Sequence, residues 1–111
     1  MSERSSYPHG VPNWVTCLAS DVDEAAAFYG RVFGWTFEDG GGYALARLRG
    51  REVAGIGPAA QAGSDVAPAW ITEVRVDDVA EAARRAERTG GRVLAGPMDL
   101  SPASVLVVLA D

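Results

Sequence analysis

The stretch Asp21-Val22-Asp23-Glu24-Ala25-Ala26 returns 57 residues later as Asp78-Val79-Ala80-Glu81-Ala82-Ala83, identical at five of six positions. At the same offset Arg31 meets Arg88 and Gly34 meets Gly91. A repeat of this kind sets the fold before any single residue does, because the chain then builds one supersecondary unit twice. Each copy is preceded by a run suited to a pleated surface, Trp14 to Ala19 and Trp70 to Val76. Each run ends at an Asp able to cap a helix, Asp21 or Asp78, with Glu24 or Glu81 three residues on as capping-box partner. Val22, Ala25, Ala26, Tyr29, Val32 and Phe33 then form the apolar stripe of an amphipathic helix. In the second copy the stripe is Val79, Ala82, Ala83 and Ala86, with Glu81 and Arg85 paired on the wet side. Both helices stop at glycine, Gly34 and Gly90-Gly91.

Working outward, the first helix is followed by strands over Trp35–Glu38, Tyr43–Leu48 and Glu52–Ile56, with turns at Gly40-Gly41-Gly42 and Gly50. The second is followed by Arg92–Ala95, a loop through Gly96-Pro97 and Ser101-Pro102, and Ser104–Leu109. The expected class is α+β: paired βαβββ modules, the second lacking its last strand. Residues 1–10 read as a short disordered lead-in and 11–111 as one domain. Within it, 11–58 form the first module, 59–68 an Ala/Gly/Pro-rich linker and 69–111 the shortened second module.

At 111 residues, 48% hydrophobic and 23% charged, the chain suits one globular domain. Its longest apolar run, Val105 to Ala110, is strand length and far short of a membrane span. The polar start MSERSSYPHG has no apolar signal-peptide segment, so a cytoplasmic protein with no membrane partner is expected. A net charge of −5 with scattered cations argues against nucleic acid. All ten cations are Arg, which together with abundant Ala and Gly reads as the codon bias of a GC-rich genome. Cys17, alone and in an apolar strand, reads as a small core residue. The only His, His9, lies in the lead-in, which disfavours Cys–His and Ser–His catalysis.

The segment from Asp21 through Phe28-Tyr29 to Phe33-Gly34-Trp35, behind a strand, resembles the opening of the vicinal oxygen chelate superfamily, the glyoxalase/bleomycin-resistance/dioxygenase family. The run from Trp70 through Asp77-Asp78 and Gly90-Gly91 to Gly96-Pro97-Met98-Asp99 looks like its second module, so the likeness covers about 11–111. The resemblance implies curved sheets enclosing a small-molecule cleft, commonly in a homodimer. It also implies that metal ligands, where present, come from the first and last strands of each module. The first-strand positions, seven before each capping Asp, are Trp14 and Ile71, neither a metal ligand. The last strand of the first module offers only Glu52, and that of the second is missing. No metal and no other cofactor is therefore expected.

Strand alternation puts Val15, Cys17 and Ala19 toward the helix and Trp14, Thr16 and Leu18 toward that cleft. In the second copy Thr72, Val74 and Val76 take the helix side, and Ile71, Glu73 and Arg75 the cleft side. Tyr43, Arg47 and Arg49 share a strand face and can line the same space, although a solvated face also explains the arginines. Glu73 and Arg75 either pair at a sheet edge or serve a ligand, and Trp14 is either a stacking platform or core filling. Trp35 and Trp70 read as structural and Asp77-Asp78 as a helix start. Two functions follow. One is a metal-free, aromatic-lined cleft that binds a small molecule and sequesters an antibiotic or other secondary metabolite. The alternative is a metal-independent lyase, isomerase or oxygenase-like enzyme with Glu73 as acid or base and Arg75 holding an anionic group. A pure dimerisation module is a third possibility. Finally, the bare apolar edge of Ser104–Leu109 predicts a homodimer with Leu100 to Asp111 at or near its interface, unless a continuation of the chain supplies the strand.

Overall fold

The computed structural model describes residues 6–39, 41–62, 67–101 and 104–111. The chain runs β1 (Pro12–Ala19), α1 (Val22–Phe33), β2 (Thr36–Asp39), β3 (Ala44–Leu48) and β4 (Arg51–Pro58), then a 3₁₀ turn (Ala59–Ala62). The second module follows as β5 (Ala69–Val74), α2 (Val79–Arg88), β6 (Arg92–Ser101) and β7 (Ser104–Ala110). It is an α+β fold with a five-stranded sheet in the order β2-β3-β4-β1-β5 and a separate β6-β7 hairpin. The repeat organises it as expected. In the first module β4 lies between β3 and β1, parallel to β1. Among the described residues the second module has no strand in that place.

Both helices start as their sequences dictate. Asp21 and Asp78 are extended, and their Oδ1 atoms accept from the backbone N–H of Glu24 and Glu81 at 3.0 Å. Gly34 ends α1 in the left-handed region with φ +73°, a conformation that glycine adopts without a Cβ penalty. The carboxylate of Glu81 gathers Arg84, Arg85 and Arg88 along α2, the Arg85 contact being the expected i, i+4 pair. Arg88 and Arg84 hold this exposed carboxyl below the usual glutamate range. A depressed folded-state value stabilises the fold above the unfolded value and is lost as pH falls through the folded one. Glu81→Gln should therefore lower the melting temperature slightly at pH 7. That difference should vanish on acidification below the ordinary glutamate range, as thermal melts across pH will show.

The core has two parts on opposite faces of the large sheet. On the helix side Cys17, Ala44 and Ile56 pack beneath Val22, Ala25, Ala26 and Tyr29 of α1. Cys17 is a core residue, its thiol pushed up by burial and partly offset by a hydrogen bond with Tyr29. On the other side Leu18 and Ala59 pack with Ile71, Leu94, Ala95, Met98 and Val108, which seats the hairpin on the first module. Ala59, expected at the start of a linker, is thus core at 8% exposure.

Two expectations change. Val32 and Phe33, assigned to the buried stripe, are half exposed. The end of α1 packs ring on ring, Phe33 against Trp35 at 4.8 Å, within an aromatic group around Tyr29 whose hydroxyl accepts from Trp70 Nε1 at 3.0 Å. The loop expected around Gly96-Pro97 is part of β6, because register shifts on either side absorb Gly96 (φ +85°) without ending the pairing with β7. Pro102, the other end of that loop, lies outside the described residues, as does Gly40 of the first turn. Of the lead-in expected to be disordered, His9 and Gly10 instead lie against the end of β5: Gly10 N–H donates to the Arg75 carbonyl and Asp77 N–H donates to His9 Nδ1.

Candidate functional site

Strands β1 and β5, equivalent by the repeat, pair antiparallel. Val15 faces Thr72 and Trp14 faces Glu73, so the two modules meet about a local two-fold between Val15 and Thr72, which are 57 apart. Equivalent positions therefore approach each other across the axis, and one such pair is Thr16 and Glu73. The Thr16 hydroxyl donates to Glu73 Oε2. Thr16 is 2% exposed, and Glu73 is half-buried. A buried hydroxyl with this partner is satisfied, and it fixes the carboxylate against the face of the sheet.

Two strands away, Tyr43 leads into β3 and lays its ring across β4. The site of a Cβ on Gly55 is occupied by the phenol, and that of Gly57 lies 3.3 Å from Tyr43 Cδ2. Gly55 and Gly57 are buried strand glycines because an aromatic ring takes the place of their side chains. From there the Tyr43 hydroxyl reaches β1 and accepts from Trp14 Nε1 at 3.1 Å. Accepting through its oxygen, the phenol keeps its own proton to donate. Paired in register, Trp14 and Glu73 thus bring two joined aromatic rings and a carboxylate fixed by the buried Thr16 to one face of the sheet.

The other expected site residues lie elsewhere. Leu18, 6% exposed, and Ile71, half-buried, are core under the β6-β7 hairpin, on the cleft side but covered. Arg47 does share the face of Tyr43, but Glu38 Oε2 (2.8 Å) and Glu52 Oε1 (3.4 Å) hold its guanidinium. Arg49 is in the turn before Gly50, at φ +55°, and not on the strand face. Arg75 does not pair with Glu73. Strand β5 ends at Val74, so the alternation no longer applies, and Arg75 bonds Asp77 at 2.6 Å. That ion pair holds the exposed Asp77 carboxyl below the usual range. On the opposite side of the sheet a shallow, open depression runs between the start of α1 and β5, past Asp21, Glu24, Phe28 and Trp70.

The donor set does not fit a metal. Trp14 and Ile71 occupy the implied ligand positions, Glu52 is tied to Arg47, and among the described residues no three His, Cys, Asp or Glu side chains converge. Among the described residues no helix is long and apolar enough to cross a membrane.

A βαβββ unit and a shortened βαββ unit meeting on a local two-fold, with polar groups on the shared face, define a paired-module protein of the vicinal oxygen chelate class. The sequence matches the family described as Glyoxalase-like domain over residues 14–111, and the chain belongs to that family. It is similar to proteins named "Putative glyoxylase CFP32" from Mycobacterium bovis and Mycobacterium tuberculosis, 34% identical over 118 residues. That match takes in 100% of this chain and 45% of each relative. It is also similar to an anthracycline biosynthesis protein, DnrV, of Streptomyces peucetius, 29% identical over 126 residues, or 95% of this chain and 44% of that one. The chain thus spans less than half the length of these relatives.

Proposed function

We propose that this chain binds a small, flat, partly aromatic molecule on the Trp14–Tyr43 face, with Glu73 as its polar anchor. The observation that carries the reading is the Tyr43 ring lying over Gly55 and Gly57 and bonded to Trp14. Aromatic surface beside a few fixed polar groups is the usual make-up of a small-molecule site. The relative named for anthracycline biosynthesis supports the ligand class, a secondary metabolite with fused rings. Sequestration of such a molecule, as an antibiotic-binding protein does, needs nothing beyond this surface.

Trp14→Ala should weaken a stacked ligand by about 1–3 kcal/mol, the range for losing a large buried aromatic contact at a hot spot. The measurement is calorimetric titration with a panel of polycyclic aromatic metabolites. Unchanged affinity in a folded Trp14→Ala protein would make the indole a structural residue only.

A second reading has its own observation, the Thr16 hydroxyl on Glu73. A carboxylate held half-buried beside a bound ligand can take or give a proton, as a metal-independent enzyme of this family would require. Glu73→Gln separates the two. Binding with product formation lost in that variant means catalysis, whereas binding with no turnover in either protein means sequestration.

A further inference from the structure

The arginines expected around the same space as Glu73 all answer to something else. Arg75 bonds Asp77 at 2.6 Å, Arg47 is held by Glu38 at 2.8 Å and Glu52 at 3.4 Å, and Arg49 lies in the turn before Gly50. Among the described residues no salt bridge reaches Glu73. Its partner is the hydroxyl of Thr16, itself 2% exposed. A hydroxyl orients a carboxylate without neutralising it, and it leaves lone pairs free to accept more. Glu73 is therefore a half-buried negative charge fixed in place without a counter-charge. A charge taken even partly out of water loses hydration, and an opposite charge is what ordinarily replaces it.

The neighbours on that face narrow what the replacement can be. Trp14 stands across from Glu73 in the β1–β5 register, and Tyr43 is tied to Trp14 at 3.1 Å with its ring over Gly55 and Gly57. Aromatic faces carry negative potential and attract cations. Two such rings beside a carboxylate repel an anion, and they offer a neutral molecule stacking and a hydrogen bond but no ion pair. A metal ion is a poor match, because it takes several oxygen or nitrogen ligands at once. Among the described residues no three His, Cys, Asp or Glu side chains converge. An organic cation needs one carboxylate and a ring, and both are here.

We propose that the Trp14–Tyr43 face selects a cationic ligand: an aromatic or fused-ring amine, protonated at neutral pH. Its ammonium group pairs with Glu73, and its ring system lies on Trp14 and Tyr43. This rests on that face being the binding surface and adds the charge of what binds there. It holds whether the bound molecule is sequestered or turned over. The net charge of −5 draws such a ligand toward the chain and keeps anionic aromatics away.

The test is calorimetric titration of the full chain with three probes of one shape and different charge: naphthylmethylamine, naphthylmethanol and naphthoate. At neutral pH and low salt the amine should bind about tenfold tighter than the alcohol, the order expected of an ion pair joined to a cation–π contact. Naphthoate should bind weakest. Added salt should narrow the gap between amine and alcohol, since it screens the pair. In Glu73→Gln the amine and the alcohol should bind alike, with the alcohol near its native affinity. The ranking on the native protein stands by itself should that variant fail to fold. Alcohol binding as tightly as the amine, or a preference for the amine that survives in folded Glu73→Gln, overturns the cation and leaves the aromatic face standing. Binding of none of the three, or binding of all three unchanged in Trp14→Ala, removes the face itself and this proposal with it.

Discussion

Ile56→Ala is expected to cost about 2–5 kcal/mol, a large part of the stability of a domain this size. The reason lies in what surrounds the side chain. Strand β4 pairs Ile56 with Ala44 on one side and Cys17 on the other. Ala46 and Ala54 lie beside it on the same face, fully buried. Ile56 is thus the largest fully buried apolar side chain beneath α1, in a layer otherwise made of alanines and a cysteine. Small neighbours have no side-chain length with which to collapse into a cavity, so the cost should fall in the upper part of the range. Ile56→Val, which removes one methyl, should cost about 0.5–1.5 kcal/mol. Urea unfolding of the three proteins gives both differences. A loss under about 1 kcal/mol for the alanine variant would mean that α1 settles onto the sheet and the layer is not close-packed.

Much of this architecture is legible in the sequence because the chain says it twice. The offset of 57 fixes the two helix starts. It does not fix the register of β1 against β5, since an antiparallel pair can place its local two-fold at any residue and its equivalent 57 further on; the structure places it at Val15 and Thr72. The helix caps are local hydrogen bonds within three residues, so Asp21 and Asp78 were readable without any tertiary knowledge. The errors fall where the local signal and the tertiary structure disagree. Gly96-Pro97 is a loop signal by composition, yet pairing with β7 continues through it by bulging. Phe33 fits the apolar stripe of α1, yet the neighbouring rings of Tyr29 and Trp35 offer it a partner away from the sheet.

The site divides the same way. Alternation along β1 and β5 was enough to place Trp14, Thr16 and Glu73 on one face, because both strands are regular there. It misplaced Arg75, where β5 has ended, and it could not show that Leu18 and Ile71 are roofed by β6 and β7. Glu38 and Glu52 as holders of Arg47, and Tyr43 as the ring over β4, depend on the registers of β2, β3 and β4, which no repeat specifies. One signal was present: Gly55 and Gly57, two residues apart on one face of a strand pattern, mark a close approach by something else.

That close approach yields a prediction whose sign is opposite to the ordinary one. Valine in place of glycine within a buried strand normally stabilises, through strand propensity and the entropy that glycine loses. At Gly55 the new side chain would occupy the volume of the Tyr43 phenol. Either the sheet strains around both groups or the ring swings off β4. The first costs about 1–3 kcal/mol of overpacking. The second gives up the Trp14–Tyr43 hydrogen bond, worth about 0.5–1.5 kcal/mol. It also dismantles the aromatic surface proposed to hold the ligand. Gly55→Val should therefore destabilise the protein and abolish binding together. In a Tyr43→Ala background the clash has no partner, so the same substitution should become neutral or stabilising. The double-mutant cycle reads this directly from four urea curves. Equal costs of Gly55→Val with and without the tyrosine ring would mean that the glycine answers to the backbone of β4 and not to Tyr43.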